Sequence, residues 1–527
     1  MRRPPLSDWP AGDRETLLIA SIAMLGSFLV NATWSVVILP VQAAFGMSAD
    51  GEVLLRQLPD MAALLVTLAI AAVGTSVSSR ALLVTAAAAV AAGSMLATLG
   101  SDQMWLLAGA SLMNAGRGVV AVAAFAAVGA VITHEGRRTT AFATLGAVPS
   151  IIYMVGPVLA AWLMGKGGWR MVGLCWIGAS LLLALAAWRC PRGNADVSST
   201  PASGRGELWT PIAAGVALVA LVQWLGSLAL HGPGSRASLV WSGVTVGATV
   251  AWILLVRWLP TPSLTGRTLR SPGLVSILIV AMVAQCGDLW FYVAAAGRFL
   301  HGLGGLEVSL FLLAPQIAAF LGACAAGWLT RRIGLRASGS LLLATLALAM
   351  FVANIQPGEP PFALLVAVLC VAAVGELGAS VCLSQAIMSC AQPGMDRSVA
   401  CCRSVALGVG NALTLLLVVS SVAGTMGESI RHEAQERHAA PPKVDALVTA
   451  IRDNVPTSEI GRDLDLSQAQ VQELRRVRRE VMVDGFRAHG WVSGGMLAVA
   501  ALGFWVVQRG DRDAAPTSTG SGGGKSR

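Results

Sequence analysis

Blocks of 18 or more mostly apolar residues recur along nearly the whole chain, separated by short polar breaks. An α-helix rises about 1.5 Å per residue, so roughly 20 such residues cross a hydrocarbon core about 30 Å thick. In hydrocarbon each peptide group must find its partner within the chain, and blocks this long do so as helices. The expected fold class is therefore all-α, a polytopic membrane protein. Composition agrees: of 527 residues 55% are hydrophobic and 12% charged, with a mean hydropathy of +0.68. A soluble chain carries roughly 25% charged residues.

About fourteen spans are expected, near 17–39, 60–77, 81–99, 104–131, 140–164, 170–188, 209–230, 239–256, 273–296, 308–329, 338–355, 361–387, 401–423 and 491–507. Spans one to six and nine to fourteen read as related halves. Each has a proline near one end of a span, then Gly74 or Gly327, then a short basic turn. The expected organisation is a six-helix bundle over 1–189, a Pro/Gly/Ser-rich linker over 190–208 and two inserted helices over 209–258. A second six-helix bundle over 259–507, with a long external loop at 427–489, precedes a disordered tail at 508–527. Repeats of this kind place a binding site at their interface, near the midplane.

Basic residues set the orientation. One set of alternate loops holds Arg80, Arg137, Arg138, Arg189, Arg192, Arg205, Arg257, Arg267, Arg270, Arg331, Arg332, Arg336, Arg397 and Arg403, whereas the other holds Arg56, Lys166, Arg236 and Arg298. The first set should be cytoplasmic, with both termini, in an inner (plasma) membrane. The net charge of +9 lies in these short loops and forms no groove with interleaved aromatics, so nucleic acid is not an expected partner. The segment "SQAQVQELRRVRREVMV" puts Val471, Leu474, Val477 and Val481 on one helical face. It reads as a solvated or membrane-surface helix, or as a dock for a periplasmic adaptor protein.

Several classes are argued against. None of the nine cysteines lies in a loop placed outside, so no disulfide framework is expected. The six histidines, in loops or at span ends, lack metal-ligand spacing, and no nucleophile motif occurs. Neither an enzyme nor a cofactor is expected.

What remains is a set of charges inside the bilayer, each costing about 2.5–3.5 kcal/mol at a helix centre. Asp288 lies well inside span nine, in "AQCGDLWFYV", and Glu376 lies mid-span between Gly375 and Gly378. Asp60 starts span two, where it could form a site mouth or a helix cap. Arg117 sits midway along span four; it stays charged and needs an acid partner or an anionic ligand. A carboxylate short of water holds its proton more tightly, and one that releases it can take up an organic cation. Such competition is antiport. Trp34, Trp290, Phe291 and Tyr292 could line the pocket.

These residues resemble the major facilitator superfamily, specifically its fourteen-span drug/proton antiporters. "MVGPVLAAWLMGKGGWR" is similar to the antiporter motif: Gly156 and Pro157 match, Ile152 replaces the preceding glycine, and Ala160-Ala161 replace a glycine pair. "GWLTRRIGLR" resembles the cytoplasmic hinge motif at Gly327, Arg332, Gly334 and Arg336, with Arg331 at the acidic position. Its first-half copy "GTSVSSR" keeps Gly74 and Arg80. Asn31 stands at the acidic position of the first-span motif, and Asp60 where some exporters of organic cations carry an acid. The resemblance implies a proton-coupled exporter of lipophilic, cationic compounds. Alternatives are an exporter of an organic anion or metabolite centred on Arg117, and a transport-inactive scaffold or sensor of the same fold. The partners expected are the small-molecule substrate, protons and the lipid bilayer.

Overall fold

The structure is a computed structural model describing residues 9–47, 49–73, 77–190, 209–231, 234–258, 271, 273–287, 305–355, 361–392, 395–411, 413–414, 417 and 468–513. Among these, helix follows helix: α1 (Ala11–Phe45), α2 (Ala49–Val73), α3 (Ser79–Leu99), α4 (Gln103–Val131), α5 (Glu135–Gly167), α6 (Gly173–Arg189), α7 (Trp209–His231) and α8 (Arg236–Trp258). Then come α9 (Leu274–Ala284), α10 (Gly305–Phe311), α11 (Leu313–Ile355), α12 (Phe362–Ser389), α13 (396–411) and α14 (Gln468–Asp513). Ten helical stretches among the described residues are long and apolar enough to cross a membrane.

Connections are short and capped. Asp102 starts α4 by accepting from the Met104 and Trp105 amides at 2.8 and 3.1 Å, using donors no helical carbonyl can reach. Within α11, Gly334 takes φ 84°, which a side chain would strain. The chain folds back there. Leu342 and the Gly322 carbonyl, from its two arms (313–333 and 335–355), both lie beside Gly378 of α12.

Helices α1 to α6 pack together, as do α11, α12 and α14; α5 lies against α10, α11 and α12. The inserted pair is peripheral: α7 rests on α2, and α8 on α7. Much of α8 is bare, including Leu239, Val246, Ile253 and Val256. In water such a face would aggregate, whereas in hydrocarbon it is an ordinary outer surface. Exposed Trp188, Trp209 and Trp258 lie near the arginine-rich loops, and Trp105 and Trp162 near the other end, as interfacial tryptophans do.

Lipid tails are as apolar as leucine, so membrane helices associate by close packing of small residues. A Cβ on Gly109 would meet the Ala97 nitrogen at 2.5 Å and the Gly93 carbonyl at 2.6 Å, which shows how tightly α3 and α4 cross.

Three expectations need revision. Helix α2 begins at Ala49, so Asp60 lies inside the helix, behind Pro59, and cannot be its cap. The basic amphipathic segment is not a separate loop helix, because α14 runs unbroken from Gln468 into the last span. Helix α13 begins before Arg397 and Arg403, and both are buried rather than loop residues. The linker at 191–208 and the tail from 514 lie outside the described residues.

Gly109→Val should cost about 1–3 kcal/mol through overpacking and lower the thermal midpoint of the detergent-solubilised protein. Gly243→Val, with nothing within 4 Å of its Cβ position, should leave that midpoint unchanged.

Candidate functional site

Helix α4 carries "NAGRGVV", and the two glycines place the arginine between them. Gly116 faces α3, where a Cβ would meet Val90 at 2.9 Å and the Ala86 carbonyl at 3.0 Å. Gly118 faces α2, against the Ala63 carbonyl at 2.7 Å and Thr67 Oγ1 at 2.9 Å. Arg117 therefore emerges close to α2, half-buried, and its Nη1 donates to Asn114 Oδ1 one turn earlier. The acid it faces electrostatically is Asp60. Asp60 is exposed on α2. A carboxylate and a guanidinium thus lie within electrostatic reach of each other. One group can titrate; the other cannot.

Asn31 sits on α1, half-buried, and its amide donates to the Tyr153 hydroxyl of α5. Phe28 meets the Tyr153 ring edge-on at 6.1 Å. Nearby Trp34 is buried against Trp176 at 5.7 Å, whose indole nitrogen donates to Thr33 at 3.0 Å. Trp34 is thus committed to packing between α1 and α6.

An apolar cluster follows Asp60 along α2 toward the arginine-rich loops. One turn and two turns on, Leu64 and Leu68 pack with Val409 of α13 in a buried apolar layer. Beyond it, nearer the arginine-rich loops, polar ties join the two groups of helices. Arg138 Nη2 donates to the Met388 carbonyl at 2.6 Å, and Arg397 Nη1 to the Val77 carbonyl at 2.7 Å. Gln385 donates to Thr139 at 2.8 Å, and Arg331 to Thr140 at 3.2 Å. Arg403 Nε donates to Ser384 at 2.8 Å while its guanidinium lies 3.7 Å from the centre of the Phe125 ring. Phe125 stacks on Phe142 at 5.9 Å, and Arg138 lies 5.8 Å from the far ring. Two arginines, one from each group of helices, thus bracket a phenylalanine pair. Burial pushes the Asp396 carboxyl above its usual range, and the neighbouring Arg138 pulls it back down.

A sequence model described as "Major Facilitator Superfamily" matches residues 16–415. The chain belongs to the major facilitator superfamily. Among curated proteins it is similar to the methyl viologen resistance protein SmvA of Salmonella typhimurium, 25% identical over 448 residues, covering 82% of this chain and 86% of that one. Among solved structures it is similar to the human organic anion transporter MFSD10 (TM-score 0.56, 12% identity), covering 94% of this chain and 100% of that one. It is also similar to the proton:xylose symporter XylE (TM-score 0.55, 14% identity), covering 94% and 96% respectively. At these identities the structural likeness establishes the fold alone. The chain is a superfamily transporter.

The superfamily motif residues have visible structural roles. A Cβ on Gly156 would stand 3.0 Å from Ala32, where α5 crosses α1, and Pro157 is buried beside it. Arg170 donates to the Thr98 and Gly100 carbonyls and stacks on the Trp169 ring at 4.8 Å, tying the α5–α6 turn to the end of α3. In the hinge motif Gly327 meets Ala143 of α5, and Gly334 makes the reversal. Arg332 and Arg336 lie over the Trp328 and Trp505 rings at 5.6 and 3.8 Å. Glu376 is half-buried on α12, where Gly375 and Gly378 seat the helix against α11. Asp288, Trp290, Phe291, Tyr292 and Gly74 lie outside the described residues.

Asn114 and the Arg403–Phe125–Phe142–Arg138 column went unread in the sequence. Asn114 was discoverable, standing one turn before Arg117. The column pairs residues from distant helices and left no local signal.

Removing Arg138 and Arg397 together, each to Ala, should loosen the closed face. Spin labels at Gly136→Cys and Arg332→Cys should change from one short distance to a broadened distribution with a longer component. A distribution identical to that of the parent would contradict the assigned ties.

Proposed function

We propose that the chain is a proton-coupled exporter of lipophilic organic cations, with fourteen spans and its arginine-rich face in the cytoplasm of an inner membrane. The observation that supports this reading is Asp60 within electrostatic reach of Arg117, with an apolar cluster and arginine ties following toward the arginine-rich loops. A carboxylate in that position can hold a proton or a cation, but not both. Arg117 lowers the cost of ionising Asp60 when the cleft is empty, because opposite charges favour each other's charged form. A bound cation then replaces part of that role. A proton moving inward releases about 2.3 kcal/mol per 100 mV, enough to drive the exchange. The Asn114 bond and the nearby Asp60 engage Arg117, which weighs against an organic anion as the substrate. SmvA, named for methyl viologen resistance, supports a lipophilic dication as the first substrate to try. Glu376 and Asp288 are proposed as further proton or substrate groups in the second set of helices, where the Gly375–Gly378 packing brings Glu376 close to α11.

In this cycle the seal at Leu64, Leu68 and Val409 and the arginine ties below it must break to admit cargo from the cytoplasm. They reform as the cleft opens outward. Two discrete packings of rigid helix groups suffice for such a change.

Methyl viologen uptake into everted vesicles under an imposed pH gradient tests the reading. The wild-type chain should accumulate it; Asp60→Asn should lose at least about tenfold in gradient-driven flux, the scale of one removed charge interaction of about 1.4 kcal/mol. Arg117→Gln should retain transport with its pH optimum displaced. Undiminished gradient-driven flux in Asp60→Asn would remove this carboxylate from the mechanism.

A further inference from the structure

Between α5 and the first arm of α11 runs a groove of about 230 Å³. Ala143, Ala147 and Ile151 form one wall, and Phe320, Cys324 and Gly327 the other. At its arginine-rich end stand Thr140, Thr144 and the exposed Arg331, which bonds to Thr140 across the seam. Ile151 and Cys324 are exposed, so the groove opens sideways onto the bilayer. Its depth is marked by its neighbour Trp328, also exposed and covered by the Arg332 guanidinium. Such an aromatic–arginine pair belongs at headgroup level.

We propose that this groove holds an acyl chain of an anionic phospholipid, whose phosphate sits at the Arg331 guanidinium; the Thr140 and Thr144 hydroxyls already donate to the Gly136 and Thr140 carbonyls. The apolar walls suit a lipid tail along their length, and the tail exchanges one hydrocarbon setting for another at little cost. Selectivity then rests on the headgroup. A guanidinium offers phosphate a planar fork of donors, while a zwitterionic headgroup brings its own cation into the same place. The walls belong to different groups of helices, so the bound lipid bridges them and favours the state closed at the arginine-rich face. That consequence rests on the transport reading above; the binding itself does not.

Native mass spectrometry of the full-length chain, released from bilayers of equal parts phosphatidylglycerol and phosphatidylcholine, reads the occupancy. The wild-type chain should retain phosphatidylglycerol over phosphatidylcholine by about fivefold, the contribution of one arginine near an anionic lipid. Arg331→Gln should erase that preference. Cys324→Trp, which fills the groove from its bilayer side without entering the core, should lower retention of both lipids. Arg332→Gln, outside the groove, should leave the preference intact. The proposal is overturned by equal retention of the two lipids in the wild type, or by Arg332→Gln erasing the preference as fully as Arg331→Gln. It is equally overturned if Cys324→Trp leaves the retention of both lipids unchanged. A chain that fails to transport but keeps the lipid preference would sink the exporter reading and leave this one standing.

Discussion

Leu64, Leu68 and Val409 stand between Asp60 and the arginine-rich face, and the rest of the site depends on that layer. Without it the carboxylate would see water from both sides, and a proton or cation held there could leak either way. On the proposed reading, the layer lets whatever Asp60 holds communicate with one side at a time. At its centre are three buried aliphatic side chains from α2 and α13, with Leu218 and Val219 of α7 and Met282 of α9 packed against them. The ties beneath it carry the closure: guanidinium groups donating to main-chain carbonyls, and an arginine stacked on a phenylalanine pair. Bonds from charged donors are worth about 1.5–3 kcal/mol each. A handful of them holds a face shut and still lets a substrate's binding energy open it.

The chemistry of these ties bears on the altered hinge motif. Arg331 stands where an acid was expected, and the closed face is held without that carboxylate. Main-chain carbonyls and aromatic rings accept the arginines instead. Neither partner titrates, so this closure does not come undone as a paired carboxylate protonates. The exception is Asp396, whose burial makes its charge costly and which has Arg138 for compensation. On the proposed reading, proton sensing is then left to Asp60 beside Arg117.

Much of the fold was legible because hydrocarbon permits so little else: apolar blocks of span length had to be helices, and the basic loops located their turns. Helix ends were less legible. Helix α2 extends well before Asp60, and α14 runs back to Gln468, because polar residues can continue a helix beyond the hydrocarbon without breaking any hydrogen-bond rule. Of the site, Asp60 and Arg117 could be read from the expense of a charge in oil, and Gly116 and Gly118 stood beside the arginine as a hint of close packing. The closure could not be read. Val77 and Met388 contribute carbonyls, which every residue has, and Phe125 and Arg403 are almost the whole bundle apart in sequence.

The central claim is one-sided access to Asp60. In a chain stripped of its native cysteines, Asp60→Cys can be challenged with a membrane-impermeant maleimide applied to either side of oriented vesicles. The structure predicts labelling from the side opposite the arginine-rich loops, and protection from the arginine-rich side. Labelling from the arginine-rich side, whether alone or together with the other, or from neither side, would contradict it.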